Sequence, residues 1–109
     1  MNYNELFVEF LVLVEFTLTK HESGEYSLID LQRANLGNIE GDRFDSAEGI
    51  ADRLGIYIHD YLLNDEVWGE YDSCEQALRE NPIHPCKPIL ELLAYHLGEV
   101  DIDKVYEMI

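Results

Sequence analysis

FVEFLVLVEFTLT, residues 7–19, is the stretch whose reading decides the fold. At period two, Phe10, Val12, Val14, Phe16 and Leu18 share one face, and Phe7, Glu9, Leu11, Leu13, Glu15 and Thr17 share the other. Alternation rich in β-branched and aromatic residues predicts a long strand. KHESGE (residues 20–25) carries a Ser-Gly turn signal, and YSLIDL (residues 26–31) resumes the alternation. The pair reads as an N-terminal antiparallel β-hairpin.

Moving outward, residues 32–45 lack a period and predict an ordered loop, anchored by Leu36, Ile39 and Phe44. Ser46 is placed to cap a helix running to about Asn64, with Glu48 favouring its N-terminus. Its core stripe is Ile50, Leu54, Tyr57, Ile58 and Tyr61, while Asp45, Glu48 and Asp52 lie opposite, with Ile56 and Leu63 near that side. Asp65 to Tyr71 reads as an acidic loop holding the single Trp, Trp68. A short helix from Ser73 to Glu80, capped by Ser73, follows, and NPIHPCKP (residues 81–88) breaks it. Pro88 suits the first turn of a helix from Ile89 to Leu97 ended by Gly98, and Asp101 caps a last one. The expected fold is α+β, one domain over residues 1–109, with an N-terminal antiparallel hairpin packed against three to four α-helices.

Charge narrows the function. Seven Lys and Arg against 23 Asp and Glu leave a formal net charge of −16. Such a field repels phosphates, so it argues against direct nucleic-acid binding and against anionic membrane surfaces, and it attracts basic partners. The apolar run from Leu6 to Leu18 is interrupted by Glu9 and Glu15 and is too short to span a bilayer. Two cysteines do not make a disulfide framework here, so a cytoplasmic protein with reduced thiols is expected.

The excess is uneven, because residues 40–80 carry 12 acids and 3 bases. The expected partner-binding residues are Glu40, Asp42, Asp45, Glu48, Asp52, Asp60, Asp65, Glu66, Trp68, Glu70, Tyr71 and Asp72. Like charges one helical turn apart, such as Glu48 and Asp52, disfavour an isolated helix slightly. One reading is a carboxylate surface that stands in for phosphates in a basic groove; the other is a solvated acidic face.

Catalysis has little support. No Gly-rich phosphate loop, Gly-x-Ser-x-Gly elbow or His-Glu-x-x-His pattern occurs. Cys74, His84, Cys86 and His96 are ligand types zinc accepts, but their spacing does not match the usual knuckles. Buried thiols and unrelated histidines account for them, and no cofactor is expected. A metal-dependent enzyme acting on RNA is the remaining catalytic reading.

Asp30-Leu31-Gln32, Ala34-Asn35-Leu36-Gly37, Asp42-Arg43-Phe44 and Tyr61 carry a resemblance. Over roughly residues 8–66 the chain resembles a small domain of large polyvalent proteins from conjugative elements and phages of Gram-positive bacteria. A free-standing copy of this size resembles the acidic type II-A anti-CRISPR and antirestriction proteins of such elements. The resemblance implies inhibition of a Cas9-type nuclease in the bacterial host cytoplasm, by keeping guide RNA or DNA out of its basic channel. It assigns no residue a role. The alternative is an acidic adaptor or immunity protein that neutralises a basic partner without mimicking nucleic acid.

Overall fold

A computed structural model describes residues 2–32, 39, 41–67 and 69–109. The chain begins with a helix. Helix α1, Tyr3–Leu13, occupies most of the stretch expected to be strand. Its start is capped by Asn2: the Glu5 N–H donates to Asn2 Oδ1 (2.8 Å), and a side-chain bond from Asn2 Nδ2 to Glu5 Oε1 (3.0 Å) holds the cap in place. Leu6, Phe7, Phe10, Leu11 and Val14 are all buried, at the spacings of one helical face, while Val12 is exposed. A strand would have turned Phe7 and Leu11 away from Phe10. Burying each such side chain is worth about 1.5–3 kcal/mol, more than the roughly 1 kcal/mol by which strand propensities differ. Helix wins on burial.

Glu15 ends the helix with a φ of 64°, in the left-handed region, and turns the chain into strand β1, Phe16–Lys20. Strand β2, Tyr26–Asp30, pairs with it antiparallel in the register Phe16↔Asp30 to Lys20↔Tyr26. The connecting turn lies where the sequence places it, with Gly24 at φ 92° and His21 donating its N–H to the Glu25 carbonyl (2.8 Å). Phe16, Leu18, Tyr26 and Leu28 face the core. Phe44 exchanges two 2.8 Å backbone hydrogen bonds with Tyr26, so the loop returns along the outer edge of β2. Ile39 is fully buried and Phe44 partly so, as expected of anchors; Leu36 lies outside the described residues.

The expected long helix is divided. Helix α2, Ala47–Arg53, stops at Leu54, and helix α3, Gly55–Ile58, runs into a π-helical turn, His59–Leu63. The wider turn delays the register, so Leu62 and Leu63 are buried and Tyr61, expected in the core stripe, is exposed. A two-residue hairpin follows, strands β3 (Asn64–Asp65) and β4 (Gly69–Glu70), where a loop was expected. Helices α4 (Cys74–Glu80), α5 (Lys87–Glu91) and α6 (Ile102–Met108) complete the chain. A π-helical turn, Leu92–His96, and a short 3-10 turn, Leu97–Glu99, extend α5.

The expected architecture is therefore corrected. Among the described residues there are six α-helices rather than three or four, and two two-stranded sheets. The main hairpin follows α1 instead of opening the chain. α1 packs against β1, α5 and α6, and a single buried cluster links all of them to α2 and α4.

Candidate functional site

The acids expected to meet a partner fall into two groups on different elements. Asp45, Glu48 and Asp52 belong to α2 and the residues before it. Ser46 caps that helix, accepting from the Gly49 N–H at 3.1 Å, and this sets Glu48 in the first turn, where the helix dipole favours a carboxylate. Asp45, Glu48 and Asp52 are exposed, with no cationic partner among the described residues.

Glu48 and Asp52 form one wall of an open cleft of about 460 Å³. Tyr95, Leu97 and Gly98, from the turns that follow α5, line it too, as do Ala51, Ile58 and Cys74. Gly98 lies close beneath Glu48, since a Cβ there would sit 3.7 Å from Glu48 Oε1. A cleft lined by carboxylates and an exposed aromatic ring suits a guanidinium or ammonium group, which pairs with carboxylates and stacks on Tyr. Tyr95, 62 % exposed, was not singled out by sequence reasoning. Its place in the cleft depends on how the turns after α5 meet α2, where the 3-10 turn Leu97–Glu99 makes the contact, and no local signal exists for that.

The second group surrounds the small hairpin. Asp60, Asp65, Glu66, Glu70 and Asp72 are all exposed. Glu66 and Asp72 have no cationic partner among the described residues. His59 lies between two of the others, with Nδ1 3.4 Å from Asp60 Oδ1 and Nε2 3.7 Å from Glu70 Oε1. Asp65 Oδ1 accepts from the Val67 N–H at 2.7 Å, holding a tight turn that leaves Val67 82 % exposed.

Three of the expected site residues have structural duties. Asp42 pairs with Arg53 at 2.5 Å and its carbonyl accepts from Ser27 Oγ, so it ties the loop to α2 and to the main hairpin. Tyr71 is half-buried against the core, its N–H donating to the Leu63 carbonyl at 2.7 Å. Its ring also packs over Gly69, whose φ of 105° excludes other residues without strain. Asp72 sits at the start of α4, its N–H held by Gln76 Oε1. Glu40 and Trp68 lie outside the described residues. Ile56, expected near the acidic side of the helix, is 64 % exposed on α3.

The four residues that zinc would accept are occupied separately. Cys74 is buried, and burial together with the charge of Glu75 pushes its thiol up to about 11. His84 is buried, and its Nδ1 accepts from the Cys86 N–H at 3.0 Å. His96 stacks on Tyr3 with ring centroids 4.5 Å apart, and its Nδ1 is 2.6 Å from Glu99 Oε2. No group of three or more His, Cys, Asp or Glu side chains able to hold a metal occurs among the described residues. Nor, among them, is any helix long and apolar enough to cross a membrane.

No protein-family model matches the chain, and no solved structure matches it. A stretch of 54 residues is 28 % identical to part of the flagellar outer-arm dynein alpha chain of Chlamydomonas reinhardtii. That similarity spans 50 % of this chain and 1 % of the dynein chain's length.

Proposed function

We propose that this chain is a protein-binding inhibitor whose exposed carboxylates occupy a basic, phosphate-binding surface on a nucleic-acid-handling enzyme. The observation that carries the reading is the α2 wall. Asp45, Glu48 and Asp52 stand exposed without cationic partners among the described residues, and Glu48 and Asp52 border a cleft with an aromatic side. Lys and Arg that normally hold phosphates would meet these carboxylates, and a side chain entering the cleft would stack on Tyr95. Opposite fields would speed the encounter and make it salt-dependent. The resemblance of Asp30-Leu31-Gln32 and Asp42-Arg43-Phe44 to anti-CRISPR proteins of Gram-positive mobile elements supports proposing as target class a Cas9-type nuclease in the bacterial cytoplasm. Binding is the whole activity, with no catalytic step.

The test is order of addition. A type II-A nuclease is given the protein before guide RNA, after guide RNA, or after guide RNA and target DNA, and cleavage is followed. Competition for the phosphate-binding channel predicts strong inhibition in the first case and little in the last. Equal inhibition in all three would overturn carboxylate-for-phosphate replacement. Tight binding to the nuclease that leaves nucleic-acid loading intact would favour the adaptor reading.

A further inference from the structure

Away from the acidic cleft, the outer side of α1 and the C-terminal end of α6 leave an apolar groove open. Val8, Val12, Thr17, Leu31, Met108 and Ile109 line it, around a volume of about 270 Å³. Val12 is 67 % exposed, Leu31 58 %, Met108 45 % and Ile109 52 %. Four large apolar side chains open to water around one depression are a contact surface rather than scattered exposure. Leu11 and Phe16, both buried, also line the depression, while Leu18 and Leu28 of the hairpin are sealed in the core.

The charges beside the groove say what covers it. On α1, Glu9 lies between Val8 and Val12 and Glu5 one turn before; Glu15 follows at the helix end, and Glu107 precedes Met108. Lys104, one turn before Met108 on α6, is the cation on these two helices. A second copy of the chain would bring another −16 against this rim. Self-association therefore works against the field, and a cationic partner works with it.

We infer that this groove docks a basic amphipathic helix of the partner, its apolar stripe seated on Val12, Leu31 and Ile109 and its Lys or Arg residues facing Glu5, Glu9 and Glu107. The inference rests on the basic-partner reading and deepens it. The acids of α2 set encounter and orientation, while the groove supplies the desolvated contact that slows release.

A fluorescent peptide of about 18 residues, long enough to hold a helix once docked, serves as the probe. One version carries Leu along one face and Lys elsewhere; the control replaces every Leu with Gln and keeps the charge. Anisotropy should show the protein binding the Leu/Lys peptide at least about tenfold tighter than the Gln/Lys peptide, as expected for a buried apolar stripe. The Val12→Gln, Ile109→Gln double variant should remove that preference and leave Gln/Lys binding unchanged. Both positions are exposed, and circular dichroism checks that the fold is retained. Binding to neither peptide would overturn the basic-partner reading itself. Equal affinity for the two peptides, or a preference surviving in the double variant, would overturn the groove alone. Wild-type dimerisation abolished by the double variant would overturn the inferred occupant in favour of a second copy.

Discussion

The Tyr26 hydroxyl donates a short hydrogen bond to the Asp103 carboxylate across 77 positions of sequence. It joins β2 to the first turn of α6, next to the Asp101 cap, and the Tyr26 ring lies 5.3 Å from that of Tyr106 on the same helix. Tyr26 is fully buried, so α6 is held by a polar contact as well as by Ile102 and Val105. Charge-assisted bonds of this kind contribute about 1.5–3 kcal/mol. Tyr26→Phe should therefore destabilise by about that amount in urea denaturation, with α6 amides losing exchange protection first.

The same contact gives an alkaline limb to stability. Burial, and then the hydrogen bond and charge of Asp103, push the Tyr26 hydroxyl from its ordinary 10.0 up to about 12. The folded state thus prefers the neutral phenol more strongly than the unfolded chain does. That contribution is intact below pH 10.0 and is lost as pH rises through about 12. In Tyr26→Phe this limb should shrink, and an unchanged fall between those values would assign it to other groups.

Legibility differed between local and tertiary features. Ser46, Ser73 and Asp101 cap helices as expected because each needs only a nearby backbone N–H, at 3.1 Å in all three cases. The hairpin turn is equally local. Residues 7–13 misled because both strand faces were apolar, which suits a buried helix as well as a strand; the Asn2 cap that separates the two lies upstream of the alternating window. Placement of Glu48 and Asp52 on an exposed face of α2 was readable from period alone. The cleft beside them was not, since Tyr95 reaches it from the π-helical turn and Gly98 from the 3-10 turn that follows, through tertiary packing.

Glu15 offers a clean test of the turn out of α1. Its φ of 64° costs a residue with a Cβ about 1 kcal/mol or more, while its carboxylate accepts from Tyr61 Oη at 3.3 Å. Glu15→Gly and Glu15→Ala both delete that hydrogen bond. Gly should nevertheless be the more stable of the two by about 1 kcal/mol in matched denaturant melts. Equal stabilities would mean that the left-handed conformation is not retained in the variants.

Thiol labelling should distinguish the two cysteines. Cys74 is buried with its thiol pushed up to about 11, whereas Cys86 is only half-buried and raised by burial alone. Thiolate is the reacting species, so iodoacetamide near neutral pH should modify Cys86 first and Cys74 only on unfolding. Mass spectrometry of partially labelled protein reads the order directly. Rapid labelling of Cys74 in the folded chain would show that the cleft floor opens readily.

The acidic surface should control both stability and association, with opposite dependence on salt. With −16 on 109 residues, raising NaCl from about 0.01 to 0.5 M shortens the Debye length from roughly 30 Å to a few ångströms and should raise the melting temperature. Over the same range, association with a basic partner should slow. Reversing Asp45, Glu48 and Asp52 together to Lys should reduce the on-rate by roughly tenfold at low salt and much less at high salt, because long-range steering is what it removes. The triple variant should fold at least as well as the parent, since these exposed side chains have no cationic partner among the described residues and their like charges repel. Lys at the first turn of α2 opposes the helix dipole, a penalty of about 0.3–1 kcal/mol that relief of the wider repulsion offsets. Stopped-flow binding and thermal melts on one protein pair separate the two effects. An on-rate unchanged by the reversal at low salt would return these carboxylates to the role of a solvated surface.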